Sequence, residues 1–263
     1  MVNFKCNNLK KAVLTKLEKQ PTDNITEAEL NEVTVLNLGG KEISSLEGLE
    51  HAKNLTHLNL SYNNLTDISQ ISNFTKLMSL DIWHNKIADI SAVASLKNLS
   101  SLGLLDNKIS DITPLSKLKN LSVLGLAQNN ISDLTPLENL KNLEFIYLSN
   151  NGISDITPLA KLKNLVEIGL FFNKITDLVP LAELTELKGL YLNSNQIKDI
   201  TPLKNLTKLE YLNLSENKIT DISPIAHFKH LVSLDLLENP INLTDARTIK
   251  MVEDLRQSIM QAS

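Results

Sequence analysis

From Val33 onward, apolar and polar positions follow a block of 22 residues that recurs ten times without insertion, starting at Val33, Leu55, Leu77, Leu99, Leu121, Leu143, Leu165, Leu187, Leu209 and Leu231. In the block 121–142, LSVLGLAQNNISDLTPLENLKN, apolar side chains fall at positions 1, 4, 6, 11, 14, 17 and 20. Leu124 and Leu126 lie two apart, the spacing of a short strand with one face turned inward. The later apolar positions lie three apart, the spacing of a tight 3₁₀ return. Each block therefore predicts one coil, with a strand on one side and a helical turn on the other. Stacked coils bury together a core that no single coil could bury alone.

Two polar ladders run through the blocks. Position 9 is Asn in nine consecutive coils, from Asn63 to Asn239. A side chain turned inward at a bend must satisfy its polar atoms, and Asn both donates and accepts, so the ladder is expected to tie backbone groups of adjacent coils. Asp67, Asp89, Asp111, Asp133, Asp155, Asp177, Asp199 and Asp221 hold position 13, where a carboxylate is placed to accept from turn backbone N–H groups. The Gly-Gly-x-Gly-x-Asp context of calcium-binding repeats is absent, so the carboxylates read as structural. Pro114, Pro136, Pro158, Pro180, Pro202 and Pro224 stiffen the return, whereas the first three coils carry Gly48, Gln70 and Ala92 there.

A stack of coils needs its two ends covered. Residues 8–17 place Leu9, Ala12, Val13 and Leu17 on one helical face, and Thr26 with Glu29 forms a capping-box pattern for a second short helix. Beyond Asn239-Pro240, Thr244 reads as the N-cap of a helix to about Met260, with Ile249, Val252, Leu255, Arg256 and Ile259 along its inner stripe. The expected organisation is a helical N-terminal cap over 1–32, ten coils over 33–240 and a helical C-terminal cap over 241–263.

The unit LxxLxLxxNxIxDIxPLxxLxx resembles the 22-residue leucine-rich repeat of bacterial internalins, and TEAELNEVTVLNLGGKEISSLEGLE at 26–50 is similar to the end of their helical cap entering the first repeat. The resemblance covers most of the chain. It implies an α/β leucine-rich-repeat solenoid, with a parallel sheet on a concave face and 3₁₀ returns on the convex one. It also implies a surface or secreted protein of Gram-positive bacteria that binds a host receptor through concave aromatic residues. The chain departs from that family in closing with a helix where many internalins continue into an immunoglobulin-like region, and no wall-anchor signal follows.

Composition sharpens this expectation. Hydrophobic residues make 42% of the chain but aromatics only 4%, so the core must be almost wholly aliphatic, and the placement of eleven aromatics becomes informative. With positions 4 and 6 inward, positions 3, 5 and 7 should face outward on the strands, with 2 and 8 at the margins. Tyr62, Trp83, Phe145, Tyr147, Phe171, Phe172, Tyr191 and Tyr211 all occupy this face. Those positions hold about 50 residues, where roughly two aromatics would fall by chance. With Leu105, Glu167 and Gly169 they form the expected partner-binding set, since clustered exposed apolar groups mark interaction sites and Tyr and Trp anchor them. Tyr147, Gly169 and Tyr191 share position 5 on successive strands, which predicts a gap at the glycine for an inserted side chain, unless Gly169 only relieves crowding.

Charge on the same face is one-sided. Asp81, Asp106, Glu144, Glu167, Glu210, Glu216, Asp235 and Glu238 meet Lys188 alone, so a protein partner with a basic surface is expected. A net charge of −4 argues against nucleic acid, which needs a basic footprint. No apolar run reaches the ~18 residues of a membrane span, and the lone Cys6 has no internal disulfide partner, so it reads as a buried thiol of the cap.

No nucleophile, base and oxyanion-donor constellation is visible, so no enzymatic activity, cofactor or metal is expected, and the chain is expected to be a monomer. His57, Asp81 and His84 on neighbouring coils are the one arrangement a metal reading could use. The alternatives are a cytoplasmic scaffold, similar to the 22-residue-repeat regulators of phosphatases, and carbohydrate recognition by the aromatic face.

Overall fold

A computed structural model describes residues 1–262, with side chains through Met260. Ser263, at the end of the expected C-terminal cap, lies outside the described residues. The chain divides into two compact units, Met1–Asn130 and Ile131–Ser263.

The first unit opens with helix α1, Asn7–Lys16, which buries Leu9, Val13 and Leu14. Leu14 was not on the expected face, and Ala12 and Leu17 are only half-buried. Helix α2, Glu27–Asn31, begins with the predicted capping box. The Thr26 hydroxyl accepts from the Glu29 N–H, and the Glu29 carboxylate accepts from the Thr26 N–H at 2.8 Å. These bonds, with the Lys19 ammonium beside it, hold the Glu29 carboxyl down to about 2, with the lysine the largest cause. Strands β1 (Val35–Asn37), β2 (His57–Asn59), β3 (Ser79–Asp81), β4 (Ser101–Gly103) and β5 (Val123–Gly125) pair parallel, each residue facing the one 22 positions on.

The second unit repeats the arrangement with β6 (Phe145–Tyr147), β7 (Glu167–Gly169), β8 (Gly189–Tyr191), β9 (Tyr211–Asn213) and β10 (Ser233–Asp235), again parallel and in register. It closes with helix α3, Ala246–Ala262. Short 3₁₀ turns return the chain after every strand but the last, including the three coils without proline. At Gly48 the reason for the missing proline is steric as well as conformational. Its backbone is left-handed at φ 100°, and a Cβ there would come 2.7 Å from the Asn3 carbonyl, because the N-terminal segment packs over this turn.

Both polar ladders form. Asn129 Oδ1 accepts from the Ile109 N–H at 3.0 Å, and its Nδ2 donates to the Leu104 carbonyl of the preceding coil and to Leu126 and Ala127 of its own. Asn63, Asn107, Asn195 and Asn217 repeat the pattern. Each of the eight aspartates accepts from the backbone N–H two residues on, at 2.7–2.8 Å. Within each unit the core inside the coils is built almost wholly of Leu and Ile, with Phe74 in the first and Phe228 in the second as the aromatic members within the coils.

Three expectations need correction. Helix α3 starts later than Thr244: the Asp245 carboxylate accepts from the Thr248 N–H at 2.8 Å, while Thr244 is turned back onto Asn242. Asp outcompetes Thr because its carboxylate also suits the positive end of the helix. Position 7 faces outward only where its side chain is large; Ser61 at 1% and Ser149 at 2% exposure are buried in the bend. Position 8 is no simple margin either. Tyr62, His84, Asp106, Gln128, Asn150, Phe172, Ser194, Glu216 and Glu238 all hold left-handed backbone, φ 51–57°, so the strand turns sharply there. This conformation costs an L-residue about 1–2 kcal/mol, and the position 9 Asn just beyond compensates by binding the carbonyls of the bend.

Candidate partner-binding faces

In the first unit the outward side chains gather on β2 to β4 and the bends that follow. Tyr62 and Trp83 meet edge to face with ring centroids 4.5 Å apart, and the His84 ring stacks on Tyr62 at 4.5 Å and 27°. The left-handed position 8 backbone is what throws Tyr62 and His84 to the same side. His84 Nδ1 lies against the Asp106 carboxylate. Leu105 lies across Gly125, so its side chain fills space that a Cβ at that glycine would need. Tyr62 is exposed, and Trp83 and Leu105 are half-buried.

The second unit carries a denser patch. Tyr147 donates its hydroxyl to Glu167 Oε1 at 3.0 Å. Burial, then this carboxylate partner, pushes the phenol up to about 12, and Tyr191 is raised by burial first and then by the nearby charge of Glu167. Phe171 and Phe172 form an edge-on pair at 5.9 Å, and Phe172 stands 54% exposed on a left-handed backbone. Phe145 is half-buried on β6, and Tyr211 is exposed on β9.

The expected gap at Gly169 is closed. A Cβ there would sit 3.2 Å from Tyr147 Cδ1 and 3.3 Å from Ser149 Oγ, so the Tyr147 ring leans over the glycine and leaves no open slot. Glu167 does the same over Gly189, whose Cβ would meet Glu167 Cγ at 2.8 Å. These glycines relieve crowding and let long neighbours lie flat.

The acidic side chains are partly committed. Glu210 pairs with Lys188 at 3.1 Å, Glu216 accepts from the Ser194 hydroxyl at 2.7 Å, and Asp235 accepts from the Leu237 N–H at 3.0 Å.

The family described as Leucine Rich repeats (2 copies) matches residues 53–95, 75–117, 97–139, 119–161, 141–183, 163–205 and 207–248. An internalin (inlF) from Listeria monocytogenes is 35% identical, with 95% of this chain and 87% of that one covered and a TM-score of 0.65. The internalin C2 (inlC2) of the same species is 32% identical over 89% of this chain and 94% of that one, with a TM-score of 0.71. The chain belongs to the internalin-like leucine-rich-repeat proteins. No protein of curated function matches it. A more distant likeness, 26% identical with a TM-score of 0.71, is the plant peptide hormone receptor RGFR1 in complex with RGF2, of which this chain covers 38% while 82% of its own length is matched.

Internalin-like leucine-rich-repeat proteins are protein-interaction modules. Among the described residues no group of His, Cys, Asp or Glu converges as metal ligands, so His57, Asp81 and His84 are not brought together as a site, and no helix is long and apolar enough to cross a membrane. Sequence reasoning passed over His84 and Asp106 as members of the first aromatic cluster. The signal that could have found them was the position 8 ladder: Tyr62, His84 and Asp106 occupy one place in three successive coils.

Proposed function

We propose that this internalin-like chain is a non-enzymatic binding protein that takes a protein partner on the strand faces of its two units, with Tyr62, Trp83, Leu105, Phe145, Tyr147, Glu167, Gly169, Phe171, Phe172, Tyr191 and Tyr211 as the contact set. The observation that carries this reading is the placement of the aromatics. Eight of eleven stand on the strand faces, while the core of the same coils is built almost entirely from Leu and Ile. Aliphatic residues would have served the fold there equally well, and solvent-facing aromatics in a patch are what interfaces use. The partner's surface is basic, since acidic side chains outnumber Lys188 on the same faces, and its capture weakens as salt rises. The internalin relatives support display at a bacterial surface or secretion as the setting, and the receptor RGFR1 in complex with RGF2 supports a polypeptide as the class of ligand.

The test compares Trp83→Ala, Phe172→Ala and Tyr191→Ala with Lys163→Ala, an exposed side chain outside the strands, in calorimetric titrations with a partner captured from host-cell surface extract. At least one aromatic variant should lose about 2 kcal/mol or more of affinity and the lysine variant almost none. Three aromatic variants binding like the parent, beside a lysine variant that fails, would place the interface elsewhere.

A further inference from the structure

The Asn and Asp side chains at position 5 of the coils have a common habit. Those of Asn37, Asn59, Asn213 and Asp235 fold back and accept from the backbone N–H two residues on, at 2.8–3.1 Å. Asp81 holds the same position on β3 and does not. Its carboxylate makes no hydrogen bond or ion pair among the described residues. It reaches instead over the bare backbone of Gly103 on the next strand. A Cβ on Gly103 would lie 2.6 Å from Asp81 Oδ1 and 3.7 Å from Trp83 Cδ1, so the carboxylate and the indole edge converge above one glycine.

We infer that Asp81 and Trp83 form a seat for one arginine side chain of the partner, with Asp81 as counter-ion and the indole as stacking face, and with Gly103 bare so that the carboxylate can lie beside the indole. This rests on the strand faces being the binding surface and adds a specific residue class at a specific place. A half-buried carboxylate without a partner is an arrangement a sequence optimised for folding avoids, and such violations gather at functional sites. Burial holds the Asp81 carboxyl above its usual range, consistent with a charge awaiting neutralisation. The indole is held in place by an edge-on contact with Tyr62, which in turn stacks on His84. The outward positions of these three coils offer His57, Asp81, His84 and Asp106 as their ionisable groups besides the Tyr62 phenol, and no Lys or Arg. A guanidinium matches this shape better than an ammonium, because it is planar, stacks on aromatic rings and donates to a carboxylate through two parallel N–H groups.

Trp83 is the only tryptophan in the chain, so its fluorescence reports on the seat directly. The full chain is titrated with acetyl-Gly-Arg-Gly-amide and with the peptide in which neutral, isosteric citrulline replaces arginine. The arginine peptide should give a saturable change, with a dissociation constant of about a millimolar as befits a single side chain, and citrulline should give none. Asp81→Asn should weaken the response about tenfold while melting at or above the parent temperature at pH 7, because it removes an unpaired charge. Gly103→Ala, whose methyl group would displace the carboxylate, should lose the response as well. Equal responses to arginine and citrulline, or an Asp81→Asn chain that binds the arginine peptide like the parent, would overturn the seat. If that happened while Phe172→Ala or Tyr191→Ala lost partner affinity, the binding face would stand without it.

Discussion

Asn129→Ala tests whether the asparagine ladder holds the coils together. Asn129 is 8% exposed, and its Oδ1 is the acceptor for the Ile109 N–H of the preceding coil at 3.0 Å. Truncation leaves that buried N–H without an acceptor, at about 1–3 kcal/mol. The Leu104 carbonyl keeps the Asn107 Nδ2 at 3.2 Å and the Ala127 carbonyl keeps the Asp106 N–H at 3.0 Å, so both are weakened rather than orphaned. With a small cavity added, the loss should come to about 3 kcal/mol. Asn129→Asp keeps the acceptor but turns a second oxygen toward carbonyls, and at neutral pH it should cost at least as much. The control is Lys108→Ala, an exposed side chain, expected to shift stability by less than about 0.5 kcal/mol. Urea unfolding gives the total, and amide exchange at Ile109 gives the local part, which matters because a coil communicates mainly with its neighbours. A loss below about 1 kcal/mol with an unchanged denaturant slope would show that backbone pairing and Leu packing hold the stack without the ladder.

The Tyr147 phenol, pushed up to about 12, keeps its proton in the folded chain after the unfolded chain has released it near 10. The unfolded state then binds fewer protons, so this group's contribution is intact below pH 10 and falls as pH rises toward 12. Glu167→Gln should move the phenol back down in an ultraviolet titration, and an unmoved titration would mean that burial alone raises it. Deleting residues 244–263 should uncover the last coil, since α3 buries Leu255 against it and otherwise leaves Leu237 and Leu243 exposed. The truncated chain should aggregate or lose its sharp unfolding transition, and an unchanged melt would show that the helix is no cap.

The repeating part of this protein is legible in one dimension because each consensus side chain meets its own counterpart one period away. Leu at positions 4 and 6, Asn at 9 and Asp at 13 need only the spacing and the chemistry of a bend to be assigned, and the bonds of Asn129 and Asp133 are those their residue types require. The capping box at Thr26 and Glu29 is legible for the same reason, since both partners lie within one turn. The faces were legible as surfaces and not as geometry. Their side chains are not repeated, so each conformation depends on unlike neighbours from other coils. Only the folded chain decides that Tyr147 leans over Gly169 and closes the gap, that Tyr62 and Phe172 stand on left-handed backbone, and that Asp81 turns toward Gly103 instead of its own backbone. Sequence periodicity places a residue on a face. Packing against the next coil decides where its atoms point, and recognition depends on those atoms.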